Sequence, residues 1–531
     1  MSDISTTAAT RRGLLTRIGI AAGGAAMYQA MTALGVSAAS TYSGPIRLDG
    51  DPKGASVLIL GAGVAGMVAA MELRKAGYRV QVLEYRDKAG GRVWTLRGGD
   101  RYTELGGATQ DVRFDEGQHF NPGPWRIPYN HRGILDYAHR LNVPLEVFPQ
   151  VNHNAMVHGV RAFGGQPKRY REIMADYHGG IAELLAKSTQ QGKLDGMVTK
   201  EDGEILIESL RSFGALDRDL KYSKNVVSSD RRGFEKDPGG GLNARPVPSE
   251  PMSLKDVLSS RGWSYLATGA LYEFQMTMFQ PAGGMDMIAQ AMARECGDMI
   301  QYNRKVVGIQ QDERGVTVAF EETNRPGAVQ QARADYCLAT IPLSILSQLE
   351  MNVSGPMAAA IQAVPYAASV KVGLQMKRRF WEQDEHIYGG ISYTDLPIRM
   401  IQYPAYGYGT RGKGVLLGAY AFGPYAYEFT AMPPEERVRR AVEWGAQIHP
   451  QYREEFENGV SVGWHRVPWA LGCNGMWTEA SRAEHYDNLC ALDNRILLAG
   501  EHASYIPAWQ EGAVLSALDA VSRLHRRVVS S

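Results

Sequence analysis

The sequence predicts an α/β protein, α+β overall, in which a Rossmann-like domain built on a GxGxxG turn joins a mixed-sheet domain and a helical domain. Three observations predict it. An apolar run, Val57 to Leu60, leads into Gly61-Ala62-Gly63-Val64-Ala65-Gly66, and a helical repeat with a second strand follows. Near the C-terminus a second apolar run, Ile496 to Ala499, ends on a glycine and an acid before another helical repeat. The chain has 531 residues, too many for one hydrophobic core, so two or three domains are expected.

Each part of the first unit has a physical task. Val57 to Leu60 has the continuous hydrophobicity of a strand buried on both faces. Gly61 permits the tight turn, Gly63 lets the backbone approach a pyrophosphate, and Gly66 lets helix and strand pack closely. Val64 and Ala65 open a helix whose free N–H groups and partial positive charge suit phosphates. Met67, Ala70, Met71 and Leu73 keep helical spacing, and Gly77 stops it. Arg79 to Leu83 alternates as a strand. Glu84, with Tyr85 after it, stands about 20 residues beyond the turn, where an acid accepts from ribose hydroxyls. Together these parts point to a bound dinucleotide.

The C-terminal unit has the same logic. Gly500-Glu501-His502 ends the strand, and Ala508, Trp509, Gln510, Glu511, Gly512 and Ala513 lead into a helix with an apolar face of Val514, Ala517, Leu518 and Val521. Between the two units, Asn303 to Ile309 and Gly315 to Phe320 read as a hairpin, and Cys337 to Ile341 as a further strand.

Gly90-Gly91-Arg92 beyond Glu84, and Glu104-Leu105-Gly106-Gly107 after it, resemble the flavin-dependent amine oxidase family. The resemblance implies FAD rather than NAD. In that family the residues matching Gly91, Arg92, Gly106 and Gly107 lie against the flavin nucleotide. A backbone group at Val306 reaches the adenine, Glu501 binds the ribityl chain, and the C-terminal helix points its N-terminus at the isoalloxazine. The cofactor domain would then be assembled from 51–118, 282–345 and 489–531. Residues 119–131 and 346–488 would form the substrate domain, and 132–281, with a Gly/Pro-rich loop from Asp237 to Pro251, the helical domain.

Within the family, Ser369 to Met376 and "TDLPIRMIQYP" resemble the L-amino-acid oxidases. Lys371 matches the lysine that holds a water near flavin N5. Tyr403 matches a tyrosine that helps bind the substrate carboxylate. Arg126, in "GPWRIP" with Gly123, Pro124 and Trp125, matches the arginine that pairs with that carboxylate; arginine binds a carboxylate bidentately, and flanking prolines stiffen its backbone. Trp509 would flank the substrate Cα, Ala508 would accept from its amino group, and Asn474 would tolerate a polar or basic side chain. Asp111 to Asn121 departs from the family pattern. The implied reaction is FAD-dependent oxidative deamination of L-amino acids to 2-oxo acids, ammonia and hydrogen peroxide. A 2-monooxygenase forming an amide, an amine or polyamine oxidase, and a flavin-bound non-enzyme stay open. Cys473 ends "PWALGC", where monoamine oxidases carry a flavin-linked cysteine; amino-acid oxidases hold FAD non-covalently, the expectation here.

The remaining features bound partners and location. A net charge of +1 implies no nucleic-acid partner. Cys296, Cys337, Cys473 and Cys490 form neither a CxxC pair nor a zinc-site spacing, so no metal is expected. Thr10-Arg11-Arg12-Gly13-Leu14-Leu15 and the glycine-broken apolar run Ile18 to Val36 read as a twin-arginine export signal over residues 1–40, not a membrane span; a frayed amphipathic helix is the alternative. Export would place the protein in the periplasm or outside the cell, and an unused signal would leave it cytoplasmic; a homodimer or higher homo-oligomer is expected.

Overall fold

The computed structural model describes residues 40–194 and 196–530. The expected export signal, Ser40 apart, lies outside them. Among the described residues no helix is long and apolar enough to cross a membrane.

A five-stranded parallel sheet organises one half, in the order Ile300–Gln301, Arg79–Leu83, Ser56–Leu60, Tyr336–Ala339, Ile496–Leu498. Its central strand is buried on both faces, as its unbroken hydrophobicity requires. Val57 and Ile59 pack under the helices Val64–Lys75, Asp286–Cys296 and Gln510–Val529. Leu58 and Leu60 pack the other way, against Ile309, Val316 and Val318 of a four-stranded sheet. That sheet contains the expected hairpin, Arg304–Asp312 antiparallel to Gly315–Glu322. Gly66 has no alternative in this packing, because a Cβ there would stand 2.0 Å from the Gly61 carbonyl oxygen.

A seven-stranded mixed sheet organises the other half, in the order Phe456–Gly463, Ser369–Met376, Gly414–Phe422, Met400–Gln402, Ile391–Thr394, Met156–His158, Lys168–Arg169. Val370, Val372, Leu374 and Met376 face a core closed by the helices Pro424–Thr430 and Pro434–Gly445. Successive residues of a strand point to opposite faces, so Lys371 faces the cofactor half.

Residues 132–281 supply the expected helices, among them Tyr170–Gln190 and Lys200–Gly214. They also lend strands to the mixed sheet, Met156–His158 pairing with Ile391–Thr394, and a separate ribbon in which Leu145–Phe148 pairs with Met278–Pro281. These strands have three or four residues, too few for an alternating pattern to stand out.

Candidate active site

A cavity of about 820 Å³ runs from the glycine turn, past the N-terminus of the last helix, to the underside of the mixed sheet. Gly61, Gly63, Val64, Ala65, Glu84, Tyr85, Gly91 and Arg92 line its first end. Gly61 adopts φ +98°. A Cβ on Gly63 would meet no protein atom within 4 Å: the space above this glycine is open toward the cavity, a cradle that a side chain would fill. Glu84 accepts from the N–H groups of Ala62 at 2.7 Å and Arg86 at 2.9 Å, which aims its carboxylate along the turn. Burial raises its pKa, against the pull of those N–H donors. Each oxygen keeps a lone pair for a ribose hydroxyl. Val306 lines the wall nearby. These residues fit the adenosine and pyrophosphate of a dinucleotide.

Arg92 donates to Glu501 at 2.7 Å and to the Cys473 carbonyl at 2.9 Å. Glu501 also accepts from the N–H groups of Gly475 and Ala508, each at 3.0 Å. Burial works to raise the Glu501 pKa, and Arg92 with these donors holds it below the ordinary value. The two residues expected at separate points of the cofactor thus form one ion pair beside the cavity. Ala508, Trp509, Gln510 and Ala513 line the next stretch, at the N-terminus of the helix Gln510–Val529.

Five residues expected at the cofactor lie off the cavity wall, the first of them Gly66, which is held in the helix–strand packing. Glu511 caps a different helix, accepting from Gly133 at 2.9 Å and Ile134 at 2.8 Å, the first turn of Arg132–Arg140. Gly512 answers to packing: a Cβ would stand 2.2 Å from the Ile506 carbonyl oxygen. Gly106 and Gly107 are drawn aside because Glu104 is held by Arg437, through both oxygens, and by Arg466. Only Leu105 of that segment reaches the cavity wall.

The "GPWRIP" segment forms the wall at the sheet end. Ile127 exchanges two backbone hydrogen bonds with Phe279, at 2.7 and 2.8 Å, and the Pro122 carbonyl accepts from Trp464 Nε1 at 2.7 Å. Gly123 fits closely under Arg92, since a Cβ there would stand 2.0 Å from the Arg92 carbonyl oxygen. Arg126 is buried, its guanidinium carbon 4.5 Å from the Trp125 ring, 4.8 Å from Phe274 and 5.7 Å from Trp509. A planar guanidinium among ring faces is held by cation–π attraction.

Lys371 is fully buried just behind this wall. Its ammonium donates to the Gly123 carbonyl and stands 4.9 Å from the Trp125 ring and 4.5 Å from Tyr420, both of which line the cavity. Burial lowers its pKa to about 7, with Arg126 adding a smaller push in the same direction.

Tyr403 does not reach the cavity. Its phenol is engaged with Ser392 and the His449 Nε2 atom, each at 2.6 Å, in the core on the far face of the mixed sheet. The reason is strand periodicity. Ile401 and Tyr403 share that face, while Met400, Ile391 and Tyr393 point to the other and line the cavity. Tyr393, close enough to Arg126 and Thr268 for both to oppose its burial-raised pKa, was not singled out in the sequence; its parity with Met400 was the signal that could have found it. Asn474 lines the wall and donates to the Gly475 carbonyl at 3.0 Å. Gln150, Thr268 and Glu273 also line the sheet end, and nothing local in the sequence marked them.

A parallel sheet with a glycine turn and terminal acid, opening into an aromatic chamber under a second sheet, defines a dinucleotide-dependent oxidoreductase. The sequence signature of the family described as flavin containing amine oxidoreductase matches residues 64–525, and the chain belongs to that family. Membership implies FAD. Similar curated proteins include the putative L-amino-acid oxidase YobN of Bacillus subtilis (strain 168), 28% identical over 88% of this chain and 94% of that protein. Another is the L-amino-acid oxidase of Bothrops atrox, 27% identical over 94% and 92%. The fold is similar to cyclohexylamine oxidase from Brevibacterium oxydans IH-35A (TM-score 0.59, 16% identity, 89% of this chain and 99% of that one) and to putrescine oxidase bound to putrescine (TM-score 0.57, 17% identity, 90% and 99%).

Proposed function

We propose that this protein oxidises L-amino acids: amino acid, oxygen and water give 2-oxo acid, ammonia and hydrogen peroxide. The observation that carries the reading is Arg126, a buried guanidinium on the wall of an aromatic chamber. Bound FAD supplies the acceptor for the Cα hydride and hands the electrons on to oxygen. Arg126 pairs with the α-carboxylate. Tyr393, in place of Tyr403, adds a phenol donor. The Ala508 carbonyl accepts from the amino group, and Trp509 with Trp125 excludes water around Cα. Lys371, with a pKa of about 7, holds the Gly123 backbone, and its role would be to order or protonate a water. FAD is held non-covalently, since burial raises the Cys473 thiol and disfavours the thiolate that linkage needs; acid precipitation should leave the yellow colour in the supernatant. The division into cofactor, substrate and helical domains, twin-arginine export and a homo-oligomeric assembly belong to the same proposal.

The test is anaerobic mixing of the flavoprotein with single L-amino acids while the flavin band is watched, followed by product analysis in air. Bleaching with 2-oxo acid and peroxide supports the reading. Amide and carbon dioxide would move it to a monooxygenase, and bleaching only by amines that lack a carboxylate would sink it.

A further inference from the structure

We infer that Glu511 is a positioning residue for the cofactor: its one carboxylate ties the first turns of two helices and the segment Ser40–Gly50 together, and so fixes the cavity wall at Ala508–Ala513. The inference goes beyond the amino-acid reading and does not depend on which amine is oxidised.

Glu511 is the second residue of the helix Gln510–Val529 and is fully buried. Its neighbours Trp509, Gln510 and Ala513 line the cavity, while Glu511 turns to other segments. It accepts from the backbone N–H groups of Gly133 at 2.9 Å and Ile134 at 2.8 Å, and from the Ser40 hydroxyl. Gly133 and Ile134 belong to the first turn of the helix Arg132–Arg140, whose own N-cap residue gives it no side-chain cap. Two helix N-termini, each with free N–H groups and a positive dipole end, thus meet at one carboxylate. The stretch before Arg132 carries the effect back to the cavity. His131 stands edge-on to the Trp509 ring, with centroids 4.9 Å apart.

The segment Ser40–Gly50 contains no helix or strand and runs along the last helix from end to end. Ser40 is held at Glu511, the Asp49 carbonyl meets His525 Nε2 at 3.0 Å, and a Cβ on Gly50 would stand 3.0 Å from the Val529 side chain. Arg132 donates to the Ser40 carbonyl at 3.1 Å and the Tyr42 phenol to Asp136 at 2.5 Å. Tyr42 is buried in the core of the cofactor half, with Ile46 and Leu48 packed against that core. Ser40 ends the expected export signal, yet it is bonded into the fold, so the inference keeps it in the working protein.

A carboxylate suits this junction because both of its oxygens accept. Oε1 takes Ser40 and Gly133, and Oε2 takes Ile134. An amide in its place would set an NH2 group against one of the two backbone N–H groups whichever way it turned, and the helix ends would have to part. The turn that shifts is the one presenting Trp509 and Gln510 to the cavity, where they would hold bound FAD.

The test compares holoenzymes of the full chain: wild type, Glu511→Gln, Glu511→Asp, Ser40→Ala and, as a stability control off the cavity, Tyr403→Phe. Each is diluted, the FAD released with time is collected by ultrafiltration, and the melting temperature is measured alongside. Glu511→Gln should release flavin about tenfold faster or more, and Ser40→Ala, which removes a single hydroxyl donor, about threefold faster. Glu511→Asp, which keeps both acceptor oxygens, should release it more slowly than Glu511→Gln. Tyr403→Phe should lower the melting temperature and leave release unchanged. Release from Glu511→Gln within about twofold of wild type, less than one hydrogen bond is worth, would overturn the inference. So would equal acceleration in Tyr403→Phe, which would mean that any loss of stability loosens the flavin, and so would a holoenzyme whose chain starts beyond Ser40. If Glu511→Gln yields no holoenzyme, Ser40→Ala against the control decides. If acid leaves the flavin on the protein, the same comparison is read from the anaerobic rate of flavin reduction, which should fall in the same order.

Discussion

Arg126 sits among three aromatic rings, a setting in which removing a charge or its partner is felt strongly. If it pairs with the substrate carboxylate, Arg126→Leu strands that carboxylate at a cost of about 3–5 kcal/mol. At about 1.4 kcal/mol per tenfold, kcat/KM for amino acids should fall by roughly two to three orders of magnitude. The matching amine without a carboxylate should keep its weak rate. Equal losses on acid and amine, with flavin content unchanged, would assign Arg126 to the fold. Tyr393 and Tyr403 give a paired test. Tyr393→Phe should raise KM for amino acids about tenfold, the worth of one hydrogen bond to a charged group. Tyr403→Phe should leave KM alone and lower thermal stability, since its phenol bonds Ser392 and His449. Reversed effects would restore Tyr403 to the site. Lys371 predicts a pH dependence. Its pKa is lowered from 10.5 to about 7, so between those pH values the unfolded lysine is protonated and the folded one is not. The unfolded state binds more protons, and this residue makes stability rise with pH across that window. Below pH 7 both states are charged and the full burial cost is present. Lys371→Met should remove that part of the slope; an unchanged slope in the melting temperature would mean that the lysine is hydrated.

At the scale of elements, the strand–turn–helix unit is the piece most legible in the sequence, because its constraints act between neighbours. Gly61, Gly63 and Gly66 each answer to something within a few residues: a positive φ, an open cradle, a carbonyl 2.0 Å away. Gly63→Val should therefore give soluble, folded protein without colour, because the new side chain enters cofactor space by a Cβ that meets no protein atom within 4 Å. Full flavin content in that variant would contradict the phosphate-loop role. Glu511 and Gly512 show the limit of such reading. They sit in the first turn of the last helix, where a cofactor contact is the local expectation. Yet Glu511 is turned to Gly133 and Ile134, which follow it in space and not in sequence.

For the whole molecule, segments far apart in the sequence are tied by a buried ionic contact. The Glu104 carboxylate meets Arg437 at 2.7 and 2.8 Å and Arg466 at 3.0 Å, with the side chains of Glu104 and Arg437 each 1% exposed. A buried pair contributes little net stability, but breaking it is costly. Glu104→Gln should lower the unfolding free energy by about 3–5 kcal/mol, visible in a denaturant titration of the holoprotein. A change below about 1 kcal/mol, the scale of an exposed pair, would mean water reaches the contact. The sequence by itself determined the fold class, the glycine turn with its acid and the segment carrying Arg126, because those signals are periodicity and short-range sterics. Tertiary structure alone decided which face of a strand meets the cavity, hence Tyr393 over Tyr403. It alone turned Glu104 to Arg437, and brought Gln150 and Glu273 to the cavity wall. Those outcomes depend on how a two-residue period is phased against a distant layer and on which buried charges find each other, and neither is written in any one stretch of the chain.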